Sequence, residues 1–163
     1  MATIKLARQG KYHAENLIPM FRKAAALRDE MLAKKFTDNG GAIHSAERIL
    51  NTLGVRLKYP GLAHMNNLRK YESAEFSVKS RAAYKIGNRV VIEHVSPIRD
   101  FTRKAIEKIN RGASDRQLKN FVRANYRPVL LTPDETVRLN KQNRSTMTAD
   151  RLERAGIKMA QTR

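Results

Sequence analysis

Glu93 and His94 stand side by side at the end of an apolar run, Val90, Val91 and Ile92, and just ahead of Val95, Ser96 and Pro97. A carboxylate and an imidazole thus emerge together where regular strand pairing stops, and an imidazole titrates close enough to neutrality for acid–base chemistry. The same pair also fits an ordinary strand terminus. The other histidines, His13, His44 and His64, stand in helical or turn contexts without an acid or ligand at useful spacing, and read as exposed or packed side chains. Zero cysteines remove disulfides, thiolate zinc sites, iron–sulfur clusters and cysteine nucleophiles from consideration.

Charge narrows the partner. The 163 residues carry 33 Lys and Arg against 15 Asp and Glu, a formal charge of +18, far beyond what solubility needs. The excess is spread: residues 1 to 80 hold 14 bases against 7 acids, and residues 81 to 163 hold 19 against 8. A basic tail on a neutral domain is therefore excluded, and a polyanion, nucleic acid first, is the expected partner. With a hydrophobic fraction of 41% the chain can still bury a core. No apolar run reaches the roughly 18 to 20 residues a membrane span needs, and Met1 to Gly10 lacks the apolar stretch of a signal peptide. The expectation is a soluble intracellular protein, cytoplasmic or nucleoid-associated, with no membrane partner.

The elements that would position Glu93 and His94 can be read from periodicity. Leu17, Met20, Ala24, Leu27 and Met31 recur at helical steps, and Pro19 suits a first turn, so a helix is expected to start near Leu17 or Ile18. Thr37 to Gly41 is a loop by composition. Ser45 resembles the cap of a second helix ending before Gly54. Such a pair is either a packed helical hairpin or a helix-turn-helix. A further helix is expected over Leu62 to Ser73. Between Ala82 and His94, apolar residues flank Gly87 and Asn88, which predicts a β-hairpin. Pro97 opens a helix carrying Ile98, Phe101, Ala105, Ile106 and Ile109, and Gly112 stops it. Ser114 with Gln117 is a capping box for the next.

The sharpest local signal lies downstream. Pro128, Val129, Leu130 and Leu131 form a short strand, its proline suggesting a sheet edge. Thr132, Pro133 and Glu135 then supply a cap, a first-turn proline and a capping-box glutamate. A strand runs directly into a helix. Thr148 to Ala155 reads as a last short helix before Gly156.

This order resembles the HNH, or His-Me finger, endonuclease family, whose core is two strands and a helix around one divalent metal. The matching stretches are Ile92-Glu93-His94-Val95-Ser96-Pro97, Asn125 ahead of the second strand, and Asn140 on the following helix, over about residues 84 to 144. The chain departs from the family in having Glu93 where aspartate is common, Asn140 where the plain motif has histidine, no zinc cysteines, and 31 residues from His94 to Asn125. The resemblance implies His94 as general base, Asn125 as the residue that holds the loop or orients the imidazole, and Glu93 and Asn140 as ligands to magnesium or manganese. Together with the helical periodicity of the first half, the expected fold is α+β and mostly helical: a helical region over residues 1–80, about which the resemblance says nothing, and, by resemblance, an HNH-like ββα core with inserted helices over 81–163.

Arg89, Arg99, Arg103, Lys104, Arg127, Arg138, Lys141 and Arg144 surround this stretch, several at helical steps that face one way, and are the expected nucleic-acid contacts. The function so implied is a metal-dependent endonuclease acting on DNA. A non-catalytic basic protein that binds or inhibits DNA, RNA or a nucleoprotein complex meets the same charge. Aromatic residues are only 6% of the chain and do not interleave with the bases, which disfavours a single-strand stacking platform.

Overall fold

A computed structural model describes residues 12–38, 41–142 and 146–161. In chain order its elements are α1 (Ala14–Ala33), α2 (Ala42–Lys58), a short 3-10 helix (Met65–Lys70), α3 (Val78–Lys85), β1 (Val91–His94), α4 (Ile98–Asn110), α5 (Asp115–Asn125), β2 (Pro128–Leu131), α6 (Pro133–Gln142) and α7 (Arg151–Arg154). The protein is mostly helical, with one small sheet in which β1 and β2 run antiparallel. Among the described residues no helix is long and apolar enough to cross a membrane.

The chain folds as two units: Met1–Ala63 with Ile98–Tyr126, and His64–Pro97 with Arg127–Arg163. These units do not follow the boundary expected at residue 80. Helices α4 and α5, expected as insertions in a strand-and-helix core, join the first unit and pack on α2. Their buried faces explain it: Phe101, Ala105 and Ile106 of α4 and Leu118 and Val122 of α5 are almost fully buried. Each large apolar side chain removed from water contributes about 1.5–3 kcal/mol.

In the first unit, α1 starts earlier than expected because the His13 side chain caps it, accepting from the Glu15 N–H at 3.5 Å. Its buried stripe is Leu17, Ile18, Phe21 and Ala25, while Met20 and Leu27 are about half exposed. The expected stripe of Leu17, Met20, Ala24, Leu27 and Met31 is thus corrected to one that buries the bulkier Ile18 and Phe21. Helix α2 is not capped by Ser45 and does not end at Gly54: Gly41 is its N-cap, and it continues to Lys58. Gly54 is where the ring of Tyr126 lies against the helix, so a missing Cβ admits an aromatic side chain there.

In the second unit the expected hairpin is absent. Ser77 caps α3, its hydroxyl accepting from the Ser80 N–H, and the Gly87-Asn88 pair ends that helix instead of turning a hairpin. Gly87, at φ 80, takes the left-handed conformation, and Asn88 N–H donates back to the Ala83 carbonyl at 2.9 Å. The partner of β1 is β2, in the register Val91↔Leu131 to His94↔Pro128. Strand β2 is not a free edge. On its far side Leu130 exchanges backbone bonds with Glu75 and Ser77, and Pro128 is tolerated because it is the strand's first residue. The predicted helix over 62–73 shrinks to the short 3-10 turn, and that over 148–155 to α7.

The strand-to-helix junction after β2 follows the sequence. Glu135 N–H donates to the Thr132 hydroxyl and Thr132 N–H to the Glu135 carboxylate at 3.0 Å. Glu135 is buried and also accepts from the Ser77 hydroxyl at 2.6 Å. One capping glutamate therefore ties α6 to α3's cap. Val95, Val129, Leu131, Leu139, Leu152, Ala155 and Ile157 form the core beneath.

Candidate functional site

Strand β1 ends at His94, β2 pairs with it, and α6 packs on both strands. Glu93, His94 and Asn140 belong to this unit, whereas Asn125 belongs to the other. Successive side chains leave a strand on opposite faces, so Glu93 and His94, opposite Val129 and Pro128, do not share one face of the sheet. Asn125 closes α5, its amide N–H donating to the Phe121 carbonyl at 2.8 Å. That bond makes it a helix-ending residue of the first unit.

The end of β1 is held by a side chain that sequence reasoning missed. Arg151, at the start of α7, is buried. It donates through Nη1 to the His94 and Val95 carbonyls at 2.8 and 3.1 Å, and through Nη2 to Asn140 Oδ1 at 3.2 Å. One guanidinium thereby links β1's last residue to α6, and nothing in sequence spacing marks a partnership across 57 positions. The consequence for a metal is direct. The Asn140 oxygen, expected to coordinate a cation, already faces a positive charge, and a divalent ion at the same oxygen would be repelled at close range. As it stands, the Asn140 oxygen serves Arg151 and not a cation. Among the described residues no cluster of three or more His, Asp or Glu is arranged to hold a metal ion.

Asn140→Ala is expected to destabilise the protein by about 1–3 kcal/mol, because a buried guanidinium N–H loses its acceptor. Asn140→Asp keeps an acceptor and adds a favourable charge. Thermal unfolding of the two variants checks this, and equal losses in both would contradict the role given to the oxygen.

Burial pushes the His94 imidazole down to about 4 from 6.5. It is therefore neutral at physiological pH, with a proton-accepting nitrogen. The unfolded chain binds the His94 proton at higher pH than the folded one, so this group's contribution to stability is full above about pH 6.5 and is lost as pH falls through 4. The side chain is half-buried, so the gap corresponds to at most about 3 kcal/mol. Urea unfolding between pH 7 and 4 should show wild type losing more stability than His94→Gln; parallel losses would refute the assignment.

The expected nucleic-acid contacts divide sharply. Arg99 pairs with Asp38, Arg103 and Lys104 with Asp100, and Arg127 with Glu75. Burial works against the Asp38 charge, yet Arg28 and Arg99 outweigh it and hold the carboxyl below its usual value. Arg138 donates to the Ala155 carbonyl at 3.1 Å. Arg89 and Lys141 are exposed, and Arg144 lies outside the described residues. Helices α4 and α5 and the turn that follows α4 instead carry cations that the sequence reading passed over. Lys108, Arg111, Arg116 and Arg123 are exposed and Lys119 half-exposed, and none of the five is in an ion pair among the described residues.

Compared with protein-family models, curated proteins and solved structures, the chain matches none.

Proposed function

We propose that the protein is an HNH-like phosphodiesterase that hydrolyses DNA, with His94 as its general base. The observation that supports this most is the strand end itself: a neutral imidazole closes β1, β1 pairs antiparallel with β2, and β2 runs through a capped junction into α6. In the reaction, an imidazole nitrogen of His94 accepts a proton from water as the water oxygen bonds to phosphorus. The ester P–O bond then breaks, and the leaving oxygen takes a proton from solvent. Arg151 acts here as a positioning residue, because it fixes the His94 backbone through the carbonyl. The resemblance implies magnesium or manganese, whereas the Asn140 oxygen accepts from Arg151.

A second reading, a nucleic-acid-binding or inhibitor protein without catalysis, is favoured by one set of contacts. Asn125 and Asn140 are both engaged within the fold, on the Phe121 carbonyl and on Arg151. Nicking of plasmid DNA and of RNA by the full chain, with magnesium, with manganese and with a chelator, separates the two. Cleavage in any arm supports the phosphodiesterase. A folded, binding-competent protein that cuts nothing in all three overturns it in favour of the second reading.

A further inference from the structure

We propose that the open cleft between the end of α4 and the flank of α5 is a groove for a nucleic-acid backbone, separate from the strand-end site and independent of whether that site cuts. Its lining includes Lys108, Arg111, Gln117, Asn120, Phe121 and Asn125, around a cavity of about 580 Å³, all within the first unit.

Several features suit it to phosphodiesters. The Lys108 ammonium sits 5.1 Å from the centroid of the Phe121 ring. Cation–π attraction thus holds one of its positive charges at the cleft wall and reduces the side-chain freedom that binding would otherwise have to remove. The other side of the wall is firm, since Phe121 stacks on Phe101 with centroids 5.5 Å apart. Gln117 commits its amide oxygen to the Ser114 N–H in the capping box, which leaves its NH2 end as a donor. Asn120 is exposed on the same helix and adds a second amide. Beyond the cleft, Arg116, Lys119 and Arg123 recur at three- and four-residue steps and share one stripe of α5. From Arg116 to Arg123 the helix rises roughly 10 Å, about three nucleotide steps along one strand.

The acids of α4 and α5 do not compensate these cations, which are in no ion pair among the described residues. Asp115, the acid of α5, is bonded to Arg22 at 2.7 Å, and Asp100 of α4 takes Arg103 and Lys104. Glu107 is the remaining carboxylate on these helices and is exposed. Unpaired cations repel one another until an anion neutralises them, and on a polyanion they release condensed counterions as they do so. A lipid surface is the weaker fit, because the cleft offers amide donors rather than bulky apolar groups that insert between acyl chains.

The test is the salt dependence of binding of a fluorescent DNA duplex to the full chain between about 50 and 200 mM salt, where each phosphate contact adds roughly 0.9 to the slope of log affinity against log salt. The double variant Lys108→Gln, Arg111→Gln is expected to lower the slope by about 1 to 2 and the affinity by about tenfold. The control Lys34→Gln, Arg154→Gln removes the same charge from exposed residues that are already paired, with Glu30 and Asp150, and is expected to change neither. Thermal unfolding verifies that both variants remain folded. Equal losses in the two variants would show a general charge effect and overturn the groove, as would an unchanged slope in the cleft variant. Cleft-dependent binding to vesicles of anionic lipid, with DNA binding unaffected, would assign the surface to a membrane instead. A wild type that binds no DNA at low salt would overturn both the groove and the proposed function, whereas binding without cleavage touches only the latter.

Discussion

His94→Ala is expected to slow DNA cleavage about 100-fold or more while leaving DNA affinity within about twofold, since a positioned general base contributes roughly 100- to 10,000-fold. The substitution removes the proton acceptor and none of the protein's 33 basic residues, so binding and cutting should come apart. The pH profile sharpens the prediction. With the imidazole held down to about 4, kcat/KM should stay level from pH 8 down to about 5 and fall on the acid side near 4, not near 6.5 where an ordinary histidine titrates. Arg151→Gln offers a companion test of positioning. Loss of the bonds to the His94 and Val95 carbonyls should reduce kcat with little change in KM, because the base is displaced while substrate contacts remain. Unchanged cleavage in His94→Ala would place the reaction elsewhere in the protein.

Gly54→Ala is expected to destabilise the first unit by about 3 kcal/mol, the scale of overpacking a tight core. The sign is diagnostic, because in an unobstructed helix the same substitution stabilises by about 1 kcal/mol. Here the new Cβ would fall on the Tyr126 ring, in contact with Cδ2, Cγ and Cδ1. The ring has little room to retreat. Tyr126 is buried, its hydroxyl donates to Asn51 Oδ1 at 2.8 Å, and its carbonyl accepts from Lys58 Nζ at 2.6 Å. Burial also raises the Tyr126 pKa, and nearby Tyr59 adds to the rise, so the hydroxyl stays protonated and able to donate. Urea unfolding of Gly54→Ala, Tyr126→Leu and the double variant forms a cycle that isolates the contact. The double variant should be more stable than the sum of the single losses predicts; simple additivity, or a more stable Gly54→Ala, would show that the helix and ring can move apart.

The apolar run Val90–Ile92 with His94 at its end, the capping residues Ser114 and Gln117, and the Thr132-Pro133-Glu135 junction are local signals, complete within a few residues of chain, and each reappears in the structure where the sequence puts it. Helix α4 likewise runs from Ile98 and stops ahead of Gly112 because its period and its breakers lie in one stretch. Net charge is equally legible, since it needs no geometry at all.

What tertiary structure decided is everything that depends on a partner far along the chain. A hairpin over Ala82–His94 and an α3 helix are both compatible with that stretch, and the choice fell to the Ser77 cap and to β2, a strand partner more than thirty residues downstream. Gly54 reads as a helix end until Tyr126 lies against it. Asn140 reads as a solvated or ligating amide until Arg151 arrives from the following helix. The basic residues show the same division most plainly. Sequence counts Arg103 and Lys108 alike, but Asp100 neutralises the first while the second stands over an aromatic ring beside an open cleft. Composition sets the sum of charge, and only folding determines which cations are left to meet a phosphate, because compensation acts over a few ångströms of space and not over positions in the chain.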